Sequence, residues 1–234
     1  MNDINTLMTK GIYEKYIKRL LDITLSSVFI LLFWWLYIFL AIMVRIKLGS
    51  PILFKQPRPG KNGEIFNMYK FRSMTDARDK SGNLLPDEVR LTKFGRWLRR
   101  TSLDELPEIF TIWLGTMSIC GPRPLLVEYL PYYTEEESRR HNVKPGLTGW
   151  AQVNGRNVTE WDERLRQDIY YVDHCSFCLD CKILFMTLFK VLKRSDILMG
   201  NEHSSKNDRL DKKREIITEL SQESQSKNQQ KEKN

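Results

Sequence analysis

The chain has 234 residues, enough for one compact catalytic domain with appendages. Charged residues make up 28%, apolar residues 41%, and mean hydropathy is −0.43, which excludes a multi-span membrane protein. Of the net charge of +8, +7 belongs to the body, because residues 201–234 carry 8 basic and 7 acidic residues. A basic body suits an anionic partner: a phosphate-bearing substrate, an anionic membrane surface or nucleic acid. Four cysteines are too few for a disulfide scaffold in a chain of this length.

The first element is a run of 22 uncharged residues, Ile23 to Val44. As a helix it reaches ~33 Å, about one hydrocarbon core. It is too long for a signal peptide, and no small-x-small cleavage site follows it. Lys15, Lys18 and Arg19 precede it, and Arg45, Lys47, Lys55 and Arg58 follow. Basic residues favour the cytoplasmic side, so two basic flanks point to a helix that enters the membrane and returns. The run holds neither Pro nor Gly, and Ser26 and Ser27 are only weak benders. Dipping and spanning therefore both stay open.

Further along, Pro51–Gln56 and Ile65–Phe71 read as strands, joined as a hairpin through the turn-rich Pro57–Gly63. A basic helix with Trp97 is expected over Thr92–Arg100, suited to a membrane interface. Ser102 with Glu105 resembles a capping box, which predicts a helix over Leu103–Leu114. Gly121–Pro124 reads as a rigid loop, residues 135–141 as an exposed helix end, and Lys144–Gly155 as a Gly-rich loop with a short strand. Helices are expected over Glu160–Tyr170 and Asp180–Arg194, with a short one over Asp208–Leu220. Residues 221–234 are too polar to fold. The predicted class is α+β, mostly helical: a membrane helix (1–50), a catalytic domain (51–195) of a short β-hairpin and amphipathic interface helices, and a polar, largely disordered tail (196–234).

The chemistry centres on adjacent acids, Asp104 and Glu105. Alone, such a pair is as readily a cap beside a solvated acid. Arg96, Arg99, Arg100 and Arg123 lie near it, and guanidinium groups grip phosphate oxygens in a bidentate fork. Carboxylates hold Mg2+ beside a diphosphate, and a carboxylate can also be a nucleophile. Those are the parts that phosphoryl-type transfer requires. Arg123 sits between Pro122 and Pro124, a preorganised clamp or simply a stiff turn. Lys70 and Arg72, two apart on a strand, would share a face.

KRLLD (18–22), FKQPRPG (54–60), YKFRSM (69–74), SLDELPE (102–108), GPRPLLVEYLPYY (121–133) and KPGLTGWAQVNGRN (144–157) occur in this order. Together they resemble the bacterial sugar transferase family of small monotopic phosphoglycosyl transferases, nearest to the short members that initiate N-linked glycan assembly. The resemblance covers roughly residues 13–195. It implies a UDP-sugar donor, a polyprenol phosphate acceptor such as undecaprenyl phosphate, Mg2+ as cofactor and a ping-pong reaction that releases UMP. It assigns Asp104 as the nucleophile that carries a covalent phosphosugar, and Asp104 and Glu105 as metal ligands. Lys70, Arg72, Arg99, Arg123, Pro124, His141, Gln152, Asn154 and Arg156 fall in its substrate-binding motifs. It also implies a re-entrant helix and a catalytic domain on the cytoplasmic face of the bacterial inner membrane. Membrane lipids are further partners, a homo-oligomer is compatible with the sequence, and nucleic acid is not expected.

Three departures stand out. Trp34-Trp35 occupies the place of the Ser-Pro break that short members carry, Glu108 stands for a usual Gln, and Thr116 for a usual Asp. The first and the last raise the alternative of a non-catalytic membrane adaptor that kept the fold. Cys175, Cys178 and Cys181 have zinc-ligand spacing, with Cys120 or His174 to complete a tetrahedron. Against zinc, the family holds apolar residues at those three positions, and cysteine packs well as a small hydrophobe.

Overall fold

A computed structural model describes residues 11–155, 160–193 and 209–215. A π-helical turn, Tyr13–Ile17, leads into the 31-residue helix α1, Lys18–Leu48. Hydrophobic residues surround α1 in its middle, and Leu31, Leu32, Trp34 and Trp35 are all exposed, Leu31 by 74%. Exposed apolar area is unfavourable in water by ~25 cal/mol per Å2, so this face needs lipid around it. The helix is long and apolar enough to cross a membrane, and the chain is membrane-associated through it.

The expected breaker is missing from the sequence, yet α1 is broken. Phe33 leaves helical geometry at φ −114° and ψ 15°. Trp35 Nε1 donates to the Leu32 carbonyl at 3.1 Å, beside the break. An indole N–H thus serves a carbonyl next to a disturbed hydrogen-bond ladder. Ser26 does bond back, to the Asp22 carbonyl at 2.5 Å, but the helix continues through it.

Both ends of α1 grip the same body. Strands β1, Leu53–Pro59, and β2, Ile65–Phe71, form the expected antiparallel hairpin, with Leu53 opposite Phe71 and Pro59 opposite Ile65. Leu40, Val44 and Leu48 pack with Phe71 and with Leu98 of α3, Lys93–Arg100. The expected helix at 92–100 is therefore present, with Thr92 as its N-cap accepting from the Gly95 amide at 3.0 Å. A Cβ on Gly95 would lie 1.8 Å from the Ser73 carbonyl oxygen, so this helix approaches the backbone too closely for any side chain. At the other end of α1, the Asp22 carboxylate accepts from the Ile119 amide at 2.9 Å and the Ser118 hydroxyl at 3.1 Å. Arg19 donates to the carbonyls of Ile112 and Trp113, both at 2.8 Å. Helix and body therefore share one interior across the boundary drawn at residue 50.

A four-residue helix α2, Asp87–Arg90, precedes α3. After α3 come helix α4, Glu108–Leu114, and strand β3, Ser118–Cys120. β3 pairs in parallel with β4, Gly146–Thr148. Helices α5, Glu135–Ser138, α6, Trp150–Gly155, α7, Trp161–His174, and α8, Phe177–Lys193, complete the body.

Several sequence expectations need correction. The segment at 144–155 is not mainly a loop, since half of it is α6. Its glycines serve close backbone approach instead: a Cβ on Gly149 would lie 2.1 Å from the Gly121 carbonyl oxygen. The segment at 135–141 is not simply exposed, because Arg140 and His141 are buried. The short helix expected over Asp208–Leu220 is present at residues 210–215, and the packing of its fully buried Leu210 beside Tyr129 and Trp161 docks this part of the polar tail. Residues 221–234 lie outside the described residues.

Candidate active site

The capping box between Ser102 and Glu105 does not form. Ser102 adopts a left-handed backbone, φ 53° and ψ 19°, and its side chain caps nothing. Leu103–Glu105 is one 3-10 turn, and α4 starts only at Glu108, after Pro107. The left-handed residue aims the turn inward, so that Asp104 and Glu105 point into the body rather than along a helix end.

Glu105 is the electrostatic hub. Its Oε1 accepts from Lys70 Nζ at 2.8 Å and from Arg123 Nη2 at 2.7 Å. Burial opposes its charge, but Arg123 and Lys70 hold the carboxyl well below the usual range. Asp104 has no ion pair among the described residues. Burial, with repulsion from Glu105, raises it to about 6 against the pull of Lys70 and Arg99. Glu108 is a third carboxylate that the sequence reading treated only as a departure. It lies 3.3 Å from Lys70 Nζ through an Oε1 that makes no hydrogen bond. Burial and Glu105 push it up to about 7, against Lys70 and Arg123. Three carboxylates thus compete for the same cations.

Two buried arginines hold the Arg123 loop. Arg140 Nη2 donates to the Arg123 carbonyl at 2.7 Å while pairing with Asp168, also at 2.7 Å. Arg58 Nη1 donates to the Pro124 carbonyl at 3.1 Å. The rigidity expected from the two prolines is therefore reinforced from beneath. Sequence reasoning missed Arg140 and Asp168, which lie 28 residues apart without any local pattern.

The remaining candidates scatter. Arg99 Nε donates to Ser73 Oγ at 2.9 Å, and its charge reaches Asp104. Arg72 does not join Lys70 at Glu105, although its amide still donates to the Ile52 carbonyl at 2.9 Å, one step beyond the last pair of the hairpin. Its guanidinium donates to the carbonyls of Leu48, Ser50 and Met74 and pairs with Asp76 at 3.0 Å, tying the hairpin to the end of α1. Burial and then Arg140 lower His141 to about 4; its Nδ1 lies 3.2 Å from the Ser138 carbonyl oxygen. Gln152 Nε2 donates to the Leu147 carbonyl at 3.0 Å, leaving a buried Oε1 without a hydrogen bond. Asn154 donates to Trp150 within its own helix. Arg156 lies outside the described residues.

A cavity of about 270 Å3 opens beside Glu105, walled by Ile109, Leu147, Leu184 and Val191, with Gln152 and Lys190 also lining it. The cysteines do not converge: Cys120 and Cys175 are buried in the core, and Cys178 and Cys181 are exposed. No group of three or more His, Cys, Asp or Glu encloses a metal among the described residues. At the departing Thr116, the hydroxyl donates to the Thr111 carbonyl at 3.2 Å, a local turn contact.

The profile of the family described as bacterial sugar transferase matches residues 13–194. The chain belongs to the bacterial sugar transferase family. The transferase is 52% identical over 185 residues to the uncharacterized sugar transferase EpsL of Bacillus subtilis, covering 79% of this chain and 92% of that protein. It is 40% identical to the galactosyl transferase CpsE of Streptococcus agalactiae, over 75% of this chain and 42% of CpsE. It is 38% identical to the UDP-glucose:undecaprenyl-phosphate glucose-1-phosphate transferase of Escherichia coli, over 76% of this chain and 40% of that enzyme. The chain thus spans about two-fifths of the length of these two larger relatives. The transferase is an enzyme of the phosphoglycosyl transferase class.

Proposed function

We propose that the transferase moves a sugar phosphate from a UDP-sugar to a polyprenol phosphate such as undecaprenyl phosphate, releasing UMP, by a two-step reaction through Asp104. The observation that carries this reading is the asymmetry of the acid pair. Glu105 is fixed by two cations, while the buried Asp104 has no ion pair among the described residues and is raised to about 6. A carboxylate near that value is ionised at neutral pH yet poorly stabilised, as suits a nucleophile.

In the first step an Asp104 carboxylate oxygen attacks the phosphorus next to the sugar. The bond from that phosphorus to the oxygen bridging to UMP breaks, and UMP leaves with that oxygen. In the second step a phosphate oxygen of the polyprenol phosphate attacks the same phosphorus and frees Asp104. Lys70, Arg99 and Arg123 stabilise the charge on the phosphoryl oxygens. The apolar cavity beside Glu105 suits the first prenyl units of the acceptor.

The carboxylates also fit Mg2+. The donors are hard oxygens, and a buried Glu108 Oε1 lacks a hydrogen bond. Mg2+ commonly takes one or two carboxylates and completes its shell with water and substrate phosphate, so a full protein cage is not required. Asp104 and Glu105 would hold it, with Glu108 beside them; when bound it would neutralise diphosphate charge.

For topology we favour a re-entrant α1 with both ends on the cytoplasmic face of the inner membrane. Support comes from the break at Phe33, the basic residues at both ends and the contacts of both halves with one body. The test of chemistry is UMP release by purified protein with polyprenol phosphate and a panel of UDP-sugars. Release by wild type no greater than by Asp104→Asn on every sugar sinks the proposal and favours an adaptor. For topology, a cysteine at position 5 should label only from the cytoplasm.

A further inference from the structure

A second cavity, of about 410 Å3, lies where α1 leaves the body to enter the membrane. It shares no lining residue with the cavity beside Glu105. Lys15, Lys18, Arg19, Lys61 and Lys144 line it, opposed by Glu14 and Asp22. Both acids are already engaged: Glu14 accepts from Lys61 at 2.7 Å, and Asp22 from the Ile119 amide at 2.9 Å. Lys18 is buried against Asp180. Arg19 gives its donors to two carbonyls, which leave its charge uncancelled.

Lys144 is the unsatisfied cation of this arrangement among the described residues. It is partly buried and makes no hydrogen bond or ion pair among the described residues. Burial and then the charges of Arg19 and Lys61 make its protonated form harder to keep. A cation held among cations, with space in front of it, is stabilised by an anion. Apolar Ile23 begins the membrane run one residue after Asp22, so the cavity stands at headgroup level.

We propose that this cavity binds a phosphate group, with Lys144 and Lys15 as its available ligands, and that the phosphate is carried by an anionic membrane lipid. Such a contact would fasten the N-terminal end of α1 at the interface. It is separate from catalysis and stands whether or not Asp104 is a nucleophile. Free phosphate offers the same oxygens, so the experiment must separate the two sources.

The full chain, purified in detergent, would be titrated with phosphatidylglycerol and with phosphatidylcholine and read by native mass spectrometry. Wild type should retain one phosphatidylglycerol in preference to phosphatidylcholine. Lys15→Ala with Lys144→Ala should lower that retention about tenfold, while Lys144→Arg keeps it. Asp104→Asn should retain lipid like wild type. An unchanged melting temperature guards against misfolding, and Lys144→Glu provides a second loss variant. Competition by millimolar inorganic phosphate reads the source: displacement of the lipid would overturn the lipid assignment, and no displacement supports it. Equal retention by wild type and the double variant overturns the site. So does an equal loss in Lys47→Ala with Lys55→Ala, because the effect would then be general surface charge.

Discussion

Two buried carboxylate clusters in this molecule do opposite things. At Asp180, donors converge on one acid: Tyr13 at 2.6 Å, Tyr171 at 2.7 Å, and the ammonium of Lys18. Around Asp104, three acids share too few cations, and Glu108 keeps an oxygen without a hydrogen bond. The first cluster is satisfied and joins segments 167 residues apart, fixing the start of α1 on α8. The second stores charge repulsion that a dication would relieve. A saturated network fixes position, and an unsaturated one is left ready for a ligand.

The contrast can be broken from either side. Asp104→Asn should lower UMP release by at least ~10³-fold, as loss of a nucleophile does. Yet its melting temperature should equal or exceed that of wild type, because a repelled buried charge is gone. Asp180→Ala should act the other way, costing about 3–5 kcal/mol in thermal or denaturant unfolding by stranding Lys18. Activity lost in proportion to fold would mark the Asp180 cluster as positional. A selective loss of activity at full stability would erase the distinction.

A smaller effect is expected from pH. The proposed attack requires Asp104 to be ionised, and it is raised to about 6. UMP release should therefore rise with pH through about 6 and fall roughly tenfold per unit below it. Glu108, raised to about 7, titrates with the same cluster, so the limb belongs to the group rather than to one acid. A flat profile from pH 5 to 8 would count against Asp104 as an ionised nucleophile. The smallest effect is expected at Trp35→Phe, which removes the hydrogen bond to Leu32. The loss should be about 1 kcal/mol in thermal unfolding, with labelling at position 5 unchanged.

The local elements were legible because local rules govern them. Turn residues marked the β1–β2 hairpin, apolar periodicity marked α7 and α8, and an uncharged run marked α1. The acid pair and Arg123 were also visible, through ordered motifs around them, and the structure brings Glu105 and Arg123 together. Misreadings came where long-range contacts outweigh local preference. Ser102 has the right chemistry for a cap but sits left-handed in an inward turn. Arg72 has the right spacing to join Lys70, but the carbonyls of Leu48, Ser50 and Met74 take its guanidinium. Residues 144–155 look loop-like because their glycines serve close packing against Gly121.

By itself, then, the sequence determined the family resemblance, the membrane helix and the identity of the acidic pair, since these reside in residue type and order. Tertiary structure alone decided which acid of the pair is held by cations, because that depends on where Lys70 and Arg123 meet. It also decided that Glu108 joins them, that Arg140 and Asp168 support the Arg123 loop, and that α1 breaks at Phe33 without a proline. Each of these rests on distances between residues far apart in the chain, or on the packing around a backbone, and no sequence spacing encodes either.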